Sequence, residues 1–188
     1  MNDQHGVVIH IGGVYASRDG AVVKTLLGSC IAACVWDIEA GVGGMNHFML
    51  PAPTNGDGSG MLSRFGVHAM ELLIGQVQKL GGDRRRLQAK VFGGGHVLQM
   101  AETAASVPAQ NIRFIKGFMD SERIPLAAED LGGTLARQVM FHTDSGKAFV
   151  RRLPGTGLFQ TATATERQHQ REAHTALQHG GEITLFDD

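Results

Sequence analysis

A chain of 188 residues, 43% hydrophobic and 19% charged, suits one compact domain, because a single core stays efficient up to roughly 250 residues. Seventeen Lys and Arg against eighteen Asp and Glu leave a net charge of −1, far from the basic balance that phosphate-backbone binding requires, so nucleic acid is a poor partner. No run of roughly 18 uncharged apolar residues occurs, and Met1 to Gly6 lack a basic start followed by an apolar stretch, so the expectation is a soluble, unsecreted, cytoplasmic chain without membrane insertion.

Val7 to Ile11 and Ala21 to Leu27 are β-branched and aliphatic between turn signals such as Arg18-Asp19-Gly20, and both read as strands. Cys30 to Asp37 is short and uncharged until its end, which favours a buried strand, and Val42 to Leu50 repeats the pattern. Thr54 to Gly60 reads as a polar, glycine-laced loop. Phe65, Ala69, Leu72, Leu73, Val77 and Leu80 recur at helical intervals, with Gly81-Gly82 where a C-terminal cap belongs. Gln88 to Phe92 reads as a strand running into Gly93-Gly94-Gly95. A helix over His96 to Ser106 is then expected to stop at Pro108, and a third helix covers Asn111 to Ser121.

Ile124 to Ala127 is extended, and Arg137 to His142, Thr143 to Gly146 and Lys147 to Leu153 read as strand, turn, strand. The predicted architecture is α+β: sandwich-like mixed sheets with helices packed on the outer faces, as a single domain over residues 1–159. Residues 160–188 are poor in large apolar groups and read as a polar tail, helical in part, with Glu182 to Phe186 as a short final strand.

Two cysteines, Cys30 and Cys34, are too few for a disulfide framework or a zinc ribbon, and no cofactor or metal is implied. Cys30 follows Gly28-Ser29 at the start of a strand, where the backbone N–H groups of a turn can converge beside its sulfur. His47 lies on the next strand, where antiparallel pairing could bring its imidazole against the thiol. The alternative for both is ordinary packing: a small cysteine among aliphatics and a satisfied boundary histidine. Cys34, inside Ala33-Cys34-Val35, has no turn beside it and reads as core.

Leu27-Gly28-Ser29-Cys30, Gly44-Met45-Asn46-His47-Phe48-Met49-Leu50-Pro51, Lys90-Val91-Phe92-Gly93-Gly94 and Ala128-Glu129-Asp130-Leu131-Gly132-Gly133, with Arg137 after it, carry a resemblance over most of Val7 to Leu153. The chain resembles the CheD family of chemoreceptor glutamine deamidases. The resemblance implies that Cys30 is the nucleophile and His47 the base. The family's third residue is a threonine six positions before the cysteine. Lys24 stands there in this chain, and Thr25 is one residue closer, an offset that on a strand turns a side chain to the opposite face.

The implied reaction hydrolyses glutamine side-chain amides on the cytoplasmic helices of methyl-accepting chemotaxis receptors to glutamate and ammonia. Cys30 would attack, His47 would move the protons, Thr25 would orient the imidazole, and the backbone N–H groups of Ser29 and Cys30 would hold the oxyanion. Because the substrate glutamine sits on a protein helix, the site is expected in a surface groove, with Thr54 to Gly60 as its rim. The resemblance also implies a CheC-type phosphatase as partner. The competing readings are a non-catalytic adaptor for that phosphatase or the receptor, and another thiol hydrolase, either a receptor methylesterase or a peptidase.

Three further features have bland readings. Gly93-Gly94-Gly95 lacks the Lys-Ser/Thr ending of a phosphate-binding loop and reads as a turn. His169, His174 and His179 recur every five residues, which suits neither one helix face nor a metal, and read as solvated tail. Arg84-Arg85-Arg86 reads as a loop after the helix cap, with attraction to an acidic partner as its alternative.

Overall fold

The computed structural model describes residues 6–51, 58–97, 106–154, 164–169 and 171–172, with the side chains of 58–62 excepted. Its elements in chain order are strands β1 (Gly6–Val8), β2 (Val14–Ser17), β3 (Val22–Leu27), β4 (Ile31–Asp37) and β5 (Val42–Phe48), helix α1 (Gly58–Lys79), a 3-10 turn (Arg84–Arg86), β6 (Gln88–Gly93), α2 (Val107–Glu122), β7 (Leu126–Leu131), β8 (Ala136–His142) and β9 (Ala148–Leu153). One sheet has the order β1-β3-β8-β9 and the other β2-β5-β4-β6-β7. Both are mixed: β1 runs parallel to β3 and β6 parallel to β7, while the remaining pairs are antiparallel. This is the α+β arrangement the sequence implies.

Strand β4 shows why the apolar run Cys30 to Trp36 lacks alternation. Every residue of it is buried, because the strand lies at the centre of the larger sheet with a core on either side. Ile31, Ala33 and Val35 face a cluster built with Met70, Leu73, Ile74 and Val77 of α1 and Ile115, Phe118 and Met119 of α2. Cys30, Ala32, Cys34 and Trp36 face the space between the sheets, where Val23 and Leu27 of β3 and Val139 and Phe141 of β8 meet them. Cys34 is core, as expected.

Several local expectations shift. The first strand ends at Val8, and β2, for which the sequence suggested nothing, adds an edge beside β5. Helix α1 begins at Gly58, so Gly58 to Gly60 belong to a helix, while 54–57 lie outside the described residues. Its inward stripe is Met70, Leu73, Ile74 and Val77; Phe65 and Leu72, placed on that stripe by spacing, are 47% and 44% exposed. Gly81, at φ 104°, ends the helix as read. His96 and Val97 are not helical, and 98–105 lie outside the described residues, as does the strand expected at Glu182 to Phe186. Pro108 stops nothing: it sits in the first turn of α2, where its missing N–H costs no hydrogen bond. Among the described residues, no helix is long and apolar enough to cross a membrane.

Arg84 and Arg86 are engaged within the molecule. Arg84 pairs with Glu71 and Glu122, and Arg86 reaches the fully buried Asp37 at 2.7 Å. They tie α1, α2 and the end of β4 together, while Arg85, 89% exposed, pairs with Asp83 at the start of the same turn.

Candidate active site

The turn Gly28-Ser29-Cys30 links β3 of one sheet to β4 of the other, and each of its carbonyls is fixed. Gly95 N–H donates to Gly28 C=O and Gly94 N–H to Cys30 C=O, both at 2.8 Å, and Asn111 Nδ2 donates to Ser29 C=O at 2.9 Å. Gly93, at φ 116°, passes so close that a Cβ there would stand 2.0 Å from the Cys30 carbonyl oxygen. The glycine run is the end of β6 and the segment after it, and the amides of Gly94 and Gly95 clamp the cysteine loop. Arg137 in turn donates to the carbonyls of Gly93, Asp130 and Gly132.

With the carbonyls turned to these partners, the three N–H groups of the turn converge on the opposite side. They meet the carboxylate of Glu166: Gly28 N–H at 2.8 Å and Cys30 N–H at 3.3 Å reach Oε1, while Ser29 N–H at 3.0 Å and Ser29 Oγ at 2.7 Å reach Oε2. Successive amides aimed at one point form an anion cradle. Glu166 lies in a helical segment at residues 164–169 and is 5% exposed. The polar tail is therefore helical there and sends a carboxylate into the site, which no sequence signal announced.

His47 and Cys30 share a face. Ala32 lies directly opposite His47 in the β4–β5 register, and Cys30 is two residues before Ala32, which makes it the diagonal cross-strand neighbour. Such neighbours stand about 7 Å apart at the backbone, within reach of an imidazole. His47 is also tied by its main chain to the loop after β1, with Gly12 N–H donating to its carbonyl at 2.8 Å and its own N–H donating to Gly13 C=O at 3.0 Å.

Of Lys24 and Thr25, it is Thr25 whose side chain faces His47. Along β3 it shares the inward face with Val23 and Leu27, and it is buried, whereas Lys24 is on the opposite face. The Thr25 hydroxyl donates to Ile9 C=O at 2.8 Å and lies 2.8 Å from His47 Nδ1. Its single hydrogen being committed, it accepts from Nδ1–H, which leaves Nε2 as the bare acceptor. Nε2 is buried and has no hydrogen-bond partner among the described residues.

Burial pushes the His47 proton affinity down to about 3, with the charges of His10 and His169 acting the same way. His169 belongs to the 164–169 segment, and its side chain stays largely solvated, 42% exposed beside Glu172, as the sequence suggested. Cys30 is fully buried; burial foremost, then the charge of Glu166 and its hydrogen bond with the thiol, raise the thiol well above its ordinary range. The expected open groove is thus closed over the sulfur in this structure. A cavity of about 280 Å³ is lined by Ile9, His10, Thr25, His47, Thr165 and Glu166 among others. Among the described residues, no group of His, Cys, Asp and Glu could hold a metal ion.

Two residues beyond the expected set hold the loop, and each left a trace in the sequence. Asn111 interrupts the stripe Asn111, Ile115, Phe118, Met119 of α2, and Arg137 interrupts the inward alternation Arg137, Val139, Phe141 of β8. A polar residue on an apolar face is the signal of a buried polar contact. Glu166 left no such trace.

A thiol, an imidazole, a hydroxyl and a cradle of amides at the junction of two sheets are the parts that thiol-dependent acyl transfer uses. Residues 49–152 match the family described as CheD chemotactic sensory transduction. A protein of Dechloromonas aromatica named probable chemoreceptor glutamine deamidase CheD 1 is 45% identical over 142 residues, covering 76% of this chain and 70% of that one. A probable chemoreceptor glutamine deamidase CheD of Cupriavidus pinatubonensis is 40% identical over 187 residues, covering 96% of this chain and 86% of its own. A Vibrio cholerae protein of the same name is 36% identical over 180 residues, covering 92% and 74%. The chain belongs to the CheD family.

Proposed function

We propose that this chain is a chemoreceptor glutamine deamidase that works through Cys30, His47 and Thr25. The observation that carries the chemistry is the chain of contacts from Ile9 C=O through the Thr25 hydroxyl to His47 Nδ1, which leaves Nε2 free on the face that also bears Cys30. An imidazole fixed in that tautomer is a base ready for the thiol proton.

The reaction then runs in two halves. His47 Nε2 takes the Cys30 proton, and the sulfur adds to the glutamine side-chain carbonyl carbon. The N–H groups of Gly28, Ser29 and Cys30 hold the resulting oxyanion. The imidazolium returns its proton to the nitrogen, the C–N bond breaks, ammonia leaves and a thioester remains. His47 next deprotonates a water that attacks the thioester, and the sulfur departs with the proton as glutamate is released. No cofactor enters. A neutral receptor site becomes negative, which alters repulsion between neighbouring helices and supplies a carboxylate that can be esterified.

The substrate is the cytoplasmic helical region of a chemoreceptor, which places the protein in the cytoplasm. A CheC-type phosphatase is the second partner. The covered thiol favours the competing reading of a non-catalytic adaptor, and the two separate cleanly. Incubation with a receptor cytoplasmic domain, followed by peptide mass mapping, should show conversion of glutamine to glutamate with matching ammonia release, lost with Cys30→Ala and His47→Ala. Pull-down of receptor or phosphatase should survive Cys30→Ala. Peptide cleavage or ester hydrolysis without amide loss would point to a different thiol hydrolase, and no release from the native chain would leave an adaptor.

A further inference from the structure

Glu166 is a carboxylate buried in an otherwise polar segment, and no Lys or Arg pairs with it among the described residues. What satisfies it is the set of donors that the reaction needs for its oxyanion: the amides of Gly28, Ser29 and Cys30 and the Ser29 hydroxyl. A glutamate side chain is also the product of glutamine deamidation, with the same carbons and one oxygen in place of the amide nitrogen. It reaches the cradle from a helical segment.

We propose that Glu166 is an internal product mimic: the 164–169 segment occupies the subsite for the substrate side chain, closes the enzyme over Cys30, and is displaced by a receptor helix carrying glutamine. This rests on the deamidase reading above and adds to it the form in which the substrate is presented. The cradle explains why the occupant is an acid. Both the amide and the hydroxyl of Ser29 donate to Oε2. An NH2 group at that position would face the Ser29 N–H donor to donor, so the cradle holds glutamate more firmly than glutamine.

The closure also acts on chemistry. The carboxylate lies against the thiol and opposes its ionisation, and His169 of the same segment adds to the forces keeping His47 neutral. An occupant tethered to the chain competes at an effective concentration on the order of millimolar. If it fills the site about nine-tenths of the time, the apparent KM for a receptor helix is raised about tenfold with kcat unchanged.

The test uses the full chain with Glu166→Ala, Glu166→Gln and the double variant Cys30→Ala/Glu166→Gln. Glu166→Ala should lower the receptor KM about tenfold without changing kcat, and should speed alkylation of Cys30 by iodoacetamide while Cys34, buried in the core, stays unlabelled. In Glu166→Gln the new glutamine sits at the sulfur, so peptide mass mapping should show it converted back to glutamate, and the double variant should keep it as glutamine. Unchanged KM and unchanged Cys30 alkylation in Glu166→Ala overturn the proposal while receptor deamidation continues. If no variant converts any glutamine, the deamidase reading has failed, and alkylation alone then decides whether the segment covers the thiol.

Discussion

The hydroxyl of Thr25 stands 2.8 Å from Nδ1 of His47, reaching across from one sheet to the other. Because the same hydroxyl donates to Ile9 C=O, the contact has one polarity, and the imidazole has one neutral tautomer. The offset that separates Lys24 from Thr25 in the sequence thus becomes a difference between the two faces of β3.

Thr25→Val should leave the fold intact and lower kcat by up to about a hundredfold, the scale of a misplaced catalytic group. Thr25→Ser should recover most of the loss, since it keeps the hydroxyl. Adding Lys24→Thr to Thr25→Val should recover nothing, because a threonine at 24 points away from His47. Steady-state ammonia release with a receptor domain measures all three; rescue by Lys24→Thr would contradict the assignment of faces.

In the resting protein the pair is thiol and neutral imidazole. Burial, and then Glu166, hold the Cys30 thiol above its ordinary range, and His47 binds a proton only down at about 3. Alkylation of Cys30 should therefore rise steadily with pH between about 6 and 8, since ordinary thiols ionise near 8.5 and this one higher. A preformed thiolate–imidazolium pair would instead react at a constant rate across that interval. The profile of alkylation rate against pH distinguishes them.

Asn111 is fully buried, accepting from Leu50 N–H and donating to Ser29 C=O, each at 2.9 Å. Asn111→Ala leaves two buried backbone groups without partners, at about 1–3 kcal/mol each, so a loss of about 3 kcal/mol in chemical denaturation is expected. The Ser29 peptide also loses its anchor, so the folded fraction should deamidate receptor glutamines more slowly. Asn111→Asp should not rescue, because a carboxylate cannot donate to Ser29 C=O.

Burial alone would raise the Asp37 carboxyl, but Arg86 and the N–H groups of Asp83 and Ala40 hold it below its ordinary value. The folded pKa being lowered, the stabilisation is complete above the unfolded value of about 3.9 and is lost as pH falls through the folded one. The gap in melting temperature between the native chain and Asp37→Asn should thus be constant above about pH 5 and shrink on acidification below about pH 4. A gap that widens in acid would refute this account.

The strands around the site, the cap at Gly81 and the turn before Cys30 are legible in the sequence because strand alternation, apolar runs and glycine placement are local: each is set by residues within a few positions of one another. The likeness of the four motif blocks to a known family adds the chemistry expected of Cys30 and His47. Other features depend on which distant segments meet. The stripe of α1 turned from Phe65 and Leu72 to Met70 and Ile74 because the face of β4 and β5 chose it. Thr25 rather than Lys24 reaches His47 because β3 packs one particular face against the other sheet. Glu166 enters the cradle from 136 to 138 residues away, a contact made by folding alone, for which no local periodicity exists. The chain's local order thus fixes where the turn amides and the Cys30 thiol stand along the backbone, while long-range packing decides which side chains face them and that a carboxylate covers them.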